Sequence, residues 1–205
     1  MKYNDKSNDS FNARLRFYYF SCVLKDDLAI DRDEFIQFDI DKGDALEYVN
    51  LYIGQYQQYE KEYVIEDQKG AKSNAVIYDE LQQLIKSKKA ETDSWREYYR
   101  GEVFKHKLSK DQFKVFEKIK NCFYCGTSLA QIDDLASQDL LFKKTERGFS
   151  LELDRKSPNM EYSNDNCVMA CYWCNNAKTD EFSAEEFAPI GKAIGEVFKQ
   201  RLIKK

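Results

Sequence analysis

Cys122-Phe-Tyr-Cys125 and Cys171-Tyr-Trp-Cys174 are the two close cysteine pairs in this chain of 205 residues. A two-residue spacer lets one tight turn direct both thiolates of a pair toward the same ion. Two such turns supply the four sulfur ligands that a structural zinc ion prefers. The sequence therefore predicts one Zn²⁺ bound by Cys122, Cys125, Cys171 and Cys174.

The rest of the composition favours metal binding over disulfide bonds. The chain has six cysteines, and its first twenty residues contain no apolar run typical of a secretory signal. No segment has the length and hydropathy of a membrane span. We therefore expect a cytoplasmic protein without membrane contact, in which thiols stay reduced. Cys22 is expected to pack in the core, and so is Cys167, for which zinc ligation is the alternative.

Residues 1–120 predict a mainly helical region that recognises substrate or a protein partner. Apolar side chains recur at three- and four-residue steps over 45–64 and 75–88, which indicates amphipathic helices. Ser109 and Gln112 form the pattern of a capping box, which predicts a helix that runs through Ile119.

Two further segments of this region have weaker signals. The apolar alternation of FIQFDI over 35–40 is compatible with a short strand. The small and polar residues over 69–74 are compatible with a linker.

A basic segment lies between the acidic N-terminal part and the first cysteine pair. Residues 86–120 carry 11 basic and 6 acidic side chains, whereas the whole chain has a net charge of −4. Aromatic residues are interleaved with this charge, a mixture that suits a polyanion and its bases. The alternative is a solvated helix face. If the segment binds nucleic acid, the expected contacts are Lys105, Lys107, Lys110 and Lys114.

Residues 121–205 have a different pattern. Alternation over 149–154 predicts a strand with Phe149, Leu151 and Leu153 in the core. A polar loop follows, and residues 166–170 predict a second strand before a short helix. A capping box at Ser183 predicts a final helix, whose apolar face comprises Phe187, Ile190, Ile194, Val197, Phe198 and Leu202.

Three elements in this region resemble the HNH endonuclease family. They are Asp154-Arg155 at the end of the first strand, Asn166 at the second strand, and Asn175-Asn-Ala-Lys178 directly after the second cysteine pair. The resemblance covers about residues 120–182. It implies an α+β fold, with a mostly helical N-terminal region followed by a zinc-stapled ββα-metal core and a C-terminal helix. The implied domains are 1–120 and 121–205.

The resemblance also assigns roles. Asp154 and Asn175 would bind a catalytic Mg²⁺ or Mn²⁺ through oxygen atoms, the ligands that these ions prefer. Asn166 would orient the loop and the catalytic base, and Lys178 would contact phosphate.

Arg155 departs from the family pattern, which has the general base histidine at this position. An arginine side chain stays protonated near neutral pH and cannot act as a base, but it can clamp a phosphate. The candidate bases are then Tyr162, Glu152 and the single histidine, His106. A reaction without a side-chain base is the further alternative.

The sequence thus predicts a metal-dependent HNH endonuclease that hydrolyses DNA, with RNA as the other possible substrate. The alternative is a catalytically inactive, zinc-stabilised module that binds nucleic acid or protein. In that case Arg155 would mark lost chemistry.

Overall fold

The computed structural model of the protein describes residues 2–40, 48, 51, 62–65, 70–141 and 147–203. The chain forms two compact units. The helical unit comprises Lys6–His106 and Asn159–Glu161. The cysteine unit comprises Met1–Asp5, Lys107–Pro158 and Tyr162–Lys205.

The helical unit consists of helices and one short hairpin. Its described elements are α1 (Tyr3–Leu24, most of which belongs to this unit), α2 (Arg32–Gln37), β1 (Glu62–Val64), β2 (Ala71–Ser73), α3 (Asn74–Asp93), α4 (Arg96–Tyr99), a π-helical turn (Arg100–Phe104) and α5 (Lys105–Lys107). The helix predicted over 75–88 is confirmed as α3.

Aromatic side chains form the core of the helical unit. Phe35 is completely buried, and its ring meets Phe11 and Tyr18 edge-on, with centroids 5.3 and 5.7 Å apart. Edge-to-face pairs of this kind add to the free energy that burial of the rings contributes. The high aromatic content of the sequence therefore serves packing in this unit.

The strand that seemed possible over 35–40 is not formed. Asp31 is the N-cap of α2, and its side chain accepts hydrogen bonds from the backbone N–H groups of Asp33 and Glu34. This cap starts a helical turn that continues to Gln37. The Asp31 cap therefore determines a helix here, although the apolar alternation is compatible with a strand.

The predicted helix over 45–64 is only partly correct. Tyr48 and Leu51 are helical and buried, whereas residues 62–64 form β1. The remaining residues of 45–61 lie outside the described part of the chain.

Of the linker predicted over 69–74, residues 71–73 instead form strand β2, and Asn74 begins α3. β1 and β2 pair antiparallel, with Tyr63 opposite Lys72. Gly70 has a φ of +116°, which favours glycine, and its carbonyl accepts a hydrogen bond from Ile65 N–H at 3.0 Å. The small and polar residues over 70–74 therefore belong to the hairpin and to the start of α3.

The cysteine unit contains two strands followed by a short helix, in the order that the sequence predicts. Its elements are α6 (Lys110–Glu117), α7 (Leu129–Ser137), β3 (Glu152–Arg155), β4 (Cys167–Ala170), α8 (Tyr172–Lys178) and α9 (Ala184–Ile203). β3 and β4 pair antiparallel, with Asp154 opposite Val168. The α+β fold class is confirmed.

Three local predictions for this unit need qualification. The capping box of Ser109 and Gln112 is present, but α6 ends at Glu117, before Ile119. β3 begins at Glu152, and Phe149 is 61% exposed, so its predicted place in the core is wrong. Leu151 and Leu153 are buried as expected.

The described helices contain none that is both long enough and apolar enough to cross a lipid bilayer.

Helix α9 packs through two glycines and only part of the predicted apolar face. Phe187 and Phe198 are buried, but Ile190 and Val197 are 41% and 45% exposed. The buried face includes Gly191 and Gly195, which bring the α9 backbone close to Tyr124 and Cys125. A Cβ at Gly195 would lie 2.4 Å from the Cys125 carbonyl oxygen, so the first cysteine pair sits directly against this helix.

We expect Gly195→Ala to destabilise the protein by about 1–3 kcal/mol, because the added methyl group overlaps the Cys125 carbonyl. Gly101→Ala is the matched control, since a Cβ there meets no atom within 4 Å. The measurement is urea unfolding of both variants. Equal midpoints for the two variants would contradict the close packing of α9.

Candidate functional site

The four paired cysteines form one cluster. The sulfur atoms of Cys122, Cys125, Cys171 and Cys174 all lie within 4.8 Å of one another, and Cys125 Sγ is 3.8 Å from Cys171 Sγ. A tetrahedral zinc site with Zn–S bonds of about 2.3 Å has sulfur–sulfur edges of about 3.8 Å. The spacing and chemistry of these side chains therefore fit a structural Zn²⁺.

The backbone explains how the first pair converges. Cys122 N–H donates to the Thr127 carbonyl at 3.0 Å, and Gly126 N–H donates to the Cys122 carbonyl at 2.9 Å. Gly126 has a φ of +70°, which allows the tight turn. Phe123 N–H donates to the Met169 carbonyl of β4 at 2.8 Å and joins this turn to the sheet.

The second pair opens helix α8. Cys171 is its N-cap residue, and Asn175 N–H donates to the Cys171 carbonyl at 2.9 Å. The second cysteine pair therefore lies at the start of the helix that carries Asn175 and Lys178.

The two other cysteines lie outside the cluster. Cys167 is buried in β4 and is not part of the group of four sulfur atoms. Burial raises the pKa of the Cys22 thiol to about 11, so it stays protonated. Both observations agree with a packing role.

Strand β3 and helix α8 bring four of the predicted site residues together in two pairs. Asn175 Nδ2 donates to Glu152 Oε2 at 2.6 Å, and Lys178 Nζ lies 3.4 Å from Asp154 Oδ2. Side chains two apart on a strand share a face, and so do side chains three apart on a helix. Glu152 and Asp154 therefore lie on one face of β3, opposite Asn175 and Lys178 on one face of α8.

Lys178 does not occupy the place that the sequence suggested. The side chain is completely buried, so this conformation does not present it to nucleic acid as a surface phosphate contact. Its ammonium makes no hydrogen bond within the described part of the chain and faces the Asp154 carboxylate alone. Lys178 follows Cys174 by four residues, and this spacing turns it toward the interior.

Tyr124 is a third member of the Asp154 group that sequence analysis missed. Its hydroxyl donates to Asp154 Oδ2 at 2.7 Å in a buried contact. Burial, together with the Asp154 carboxylate, raises the pKa of Tyr124 well above its usual range. The phenol therefore remains a hydrogen-bond donor and does not serve as a base. The signal available in the sequence was the position of Tyr124 between the paired cysteines Cys122 and Cys125.

Glu152 is fully engaged. Both of its carboxylate oxygens accept hydrogen bonds from the Arg147 guanidinium, at 2.7 to 3.0 Å, in addition to the Asn175 amide. Arg147 was another residue that sequence analysis missed, because the basic residues of a loop carry no periodic signal.

Arg155 and Tyr162 form a separate pair. The Arg155 guanidinium lies over the Tyr162 ring, 5.1 Å from its centroid, and Nη2 lies 3.2 Å from Asp180 Oδ1. Tyr162 is 7% exposed, whereas Asp180 is at the surface. The stack holds the guanidinium beside the phenol at the end of β3.

Asn166 fixes the loop between β3 and β4. Its amide accepts from Ser157 N–H at 2.8 Å and donates to the Ser157 carbonyl at 3.1 Å. Its own backbone N–H lies 3.1 Å from Ser163 Oγ, which accepts its hydrogen bond. The side chain thus orders the loop that precedes Tyr162.

The remaining predicted residues lie elsewhere. His106 is exposed on α5, in the helical unit. Lys105 and Lys114 pair with Glu102 and Asp111 at 3.3 and 3.2 Å, within single helical turns. Lys110 Nζ lies 5.9 Å from the centroid of the Tyr3 ring, and Lys107 is partly buried. Local ion pairs therefore offset part of the positive charge of the basic segment.

Comparison with known proteins gives limited matches. No family model matches the chain. The chain is 35% identical over 92 residues to the uncharacterized protein R423 of Acanthamoeba polyphaga mimivirus, a match that covers 45% of this chain but 14% of that relative. It is also similar to a solved structure of PacI, a rare-cutting HNH restriction endonuclease, with 29% identity over 52% of this chain and 76% of PacI and a TM-score of 0.40.

We expect Cys171→Ser to lose zinc and to unfold the cysteine unit, because metal binding and folding of such sites are coupled. Cys167→Ala is the control, since Cys167 is a buried cysteine of the same unit outside the cluster. Metal analysis by mass spectrometry should find about one zinc per chain in the parent protein and in the control. A folded, reduced parent without zinc would contradict the assignment.

Proposed function

We propose that this chain is a metal-dependent HNH endonuclease that hydrolyses phosphodiester bonds in DNA. The observation that carries the proposal is the pairing of Glu152 and Asp154 on β3 with Asn175 and Lys178 on α8. Zinc ligands fix the start of that helix, so oxygen ligands are presented on a rigid ββα frame. Rigid placement of charged groups is what hydrolysis of a phosphodiester requires.

The oxygen atoms present fit a hard divalent ion. Asn175 donates through Nδ2 to Glu152, which directs its amide oxygen away from that carboxylate. Asp154 uses Oδ2 for Tyr124 and Lys178, and Oδ1 is its other ligand atom. Asp154 Oδ1 and Asn175 Oδ1 would hold Mg²⁺ or Mn²⁺. When bound, the ion supplies stabilisation of charge on the phosphate and on the leaving oxygen.

Tyr124 and Lys178 orient Asp154 in this proposal. The Tyr124 hydrogen bond restricts rotation of the carboxylate. The buried Lys178 ammonium, 3.4 Å from the same oxygen, offsets its charge. Loss of Lys178 would leave the buried Asp154 carboxylate without a compensating charge, which is costly in a low-dielectric interior.

Tyr162 is the general base in this proposal, because the neighbouring candidates are less suited to the role. Both oxygens of Glu152 already accept hydrogen bonds, and Arg155 cannot accept a proton. In its phenolate form Tyr162 takes a proton from the attacking water as the new phosphorus–oxygen bond forms. The bond from phosphorus to the 3′ oxygen breaks, and that oxygen is protonated by solvent, which leaves 5′-phosphate and 3′-hydroxyl ends.

Arg155 binds the phosphate during this reaction. Its stack on Tyr162 leaves the planar guanidinium beside the base, where it can hold phosphate oxygens with paired hydrogen bonds. The exposed Asp180 carboxylate, 3.2 Å from Nη2, is displaced by the phosphate. Asn166 contributes by ordering the loop.

The inactive binding module is the second candidate, and one observation favours it. The Lys178 ammonium lies 3.4 Å from Asp154 and so places a positive charge beside the proposed ligand of the catalytic ion. A module of this kind would keep zinc and bind nucleic acid or protein without cleavage.

The substrate assignment follows from charge and chemistry. Lys107 and Lys110, near the first cysteine pair in the chain, are proposed to contact DNA phosphates, with Lys105 and Lys114 contributing when their acidic partners are displaced.

The helical unit is proposed to select substrate or a protein partner. RNA is the alternative substrate, and four reduced thiolates favour a cytoplasmic location.

Asp154→Asn should lower the rate of plasmid cleavage by at least about 100-fold, because it removes a charged ligand of the catalytic ion. Asp165→Asn, at an exposed position in the β3–β4 loop, is the control and should cleave like the parent. The assay uses supercoiled plasmid with Mg²⁺, Mn²⁺ or EDTA. Asn175→Ala provides the same test at a partly exposed position. Cleavage by both site variants at the parental rate would exclude this site.

Tyr162→Phe should reduce the rate by about 10²- to 10⁴-fold, because it removes the proton acceptor. Tyr172→Phe is the control, since the Tyr172 ring also lies under an arginine, with the Arg147 guanidinium 5.2 Å from its centroid. Cleavage by Tyr162→Phe at the parental rate would rule out Tyr162 as the base.

A further inference from the structure

A buried ion pair in the helical unit involves a residue of the β3–β4 loop. Arg14 is 1% exposed and Glu161 is 5% exposed. Arg14 Nε donates to Glu161 Oε1 at 3.1 Å, and Arg14 Nη2 donates to Glu161 Oε2 at 3.0 Å. The pair is therefore bidentate, the arrangement that fixes a carboxylate most firmly.

Tyr99 completes the pair from a third element. Its ring is fully buried, and its hydroxyl donates to Glu161 Oε1 at 2.5 Å. Burial and the Glu161 carboxylate raise the pKa of Tyr99 far above its usual range, so the phenol remains a donor. Glu161 thus accepts from two side chains that are distant from it in sequence.

The other donors of Arg14 are also satisfied. Nη1 donates to the backbone carbonyls of Phe35 and Ile36 at 3.0 and 2.9 Å, and also to that of Phe38. The guanidinium lies 5.8 Å from the Tyr99 ring centroid. Arg14 therefore has little freedom to follow Glu161 if that residue moves, so Glu161 is held at a fixed point.

The position of Glu161 in the sequence gives this pair a consequence for the site. It directly precedes Tyr162, the proposed base, and adjacent Cα atoms are about 3.8 Å apart. Asn166 holds the same loop through Ser157. The proposed reaction does not use Glu161, Arg14 or Tyr99, but their hydrogen bonds hold Glu161 within the same loop.

We infer that Glu161 is a positioning residue for Tyr162, anchored by Arg14 and Tyr99, and that this anchor sets the rate of cleavage. The inference rests on the proposed function. A displacement of about 1 Å at a reacting group can cost about 100-fold in rate. Loosening of the anchor should therefore lower kcat, while groups that bind the rest of the substrate are unaffected.

Two Tyr→Phe variants test this inference with matched chemistry. Tyr99→Phe removes the hydroxyl that donates to Glu161. Tyr19→Phe removes a buried hydroxyl of the same unit, which donates to Thr92 Oγ1 at 3.0 Å. Each variant loses one buried hydrogen bond, so a purely structural role predicts similar effects for both.

We expect Tyr99→Phe to lower kcat at least about tenfold with KM unchanged, and Tyr19→Phe to leave kcat within about twofold of the parent. Hydrogen exchange of the loop over 156–165 gives a readout that is independent of activity. The loop amides should exchange faster in Tyr99→Phe and at the parental rate in Tyr19→Phe. Glu161→Gln should show the same changes as Tyr99→Phe.

Equal kcat values and equal loop exchange in the two Tyr→Phe variants would overturn the inference while leaving the proposed nuclease intact. If the parent itself does not cleave DNA, the nuclease proposal fails. In that case the exchange of the loop amides still tests the anchor. Unchanged exchange in Tyr99→Phe would show that Tyr99 does not hold the loop, and faster exchange would show that it does.

Discussion

The convergence of four cysteine sulfur atoms is the constraint on which the cysteine unit depends. The sulfur atoms come from the turn before α7 and from the start of α8, and they lie within 4.8 Å of one another. A structural zinc ion contributes its binding free energy directly to folding. The turn that holds the first pair is hydrogen-bonded to β4 and packed against the glycines of α9. One ion would therefore fix the sheet and both helices together.

The same constraint explains why charged groups are buried at the site. If the start of α8 is fixed, Asn175 and Lys178, which are three residues apart on this helix, both face β3. Asn175 then contacts Glu152, and Lys178 contacts Asp154. The Lys178 ammonium makes no hydrogen bond among the described residues, and a buried donor without a partner costs free energy. Proteins keep such unfavourable groups mainly at functional sites. In the proposed mechanism the function of this ammonium is the orientation of Asp154.

The sequence was informative where chemistry depends on local spacing. Cysteine spacing predicted the cluster, and capping boxes predicted the starts of α6 and α9. It was less informative where distant contacts decide the outcome. The Ile190 and Val197 positions of α9 are exposed because Gly191 and Gly195 allow closer packing on another face. The burial of Lys178, the Tyr124 hydrogen bond and the Arg14–Glu161 pair depend on tertiary contacts that no periodicity shows.

The central claim is that Asp154 and Asn175 bind a divalent ion on the frame that zinc organises. Anomalous diffraction from a crystal of the protein soaked in Mn²⁺ tests this most directly, because zinc and manganese absorb at different X-ray energies. The account predicts one zinc peak among the four cysteine sulfur atoms and one manganese peak between the side-chain oxygens of Asp154 and Asn175. A manganese peak absent from Asp154, with zinc in place and the carboxylate still paired to Lys178, would contradict the claim.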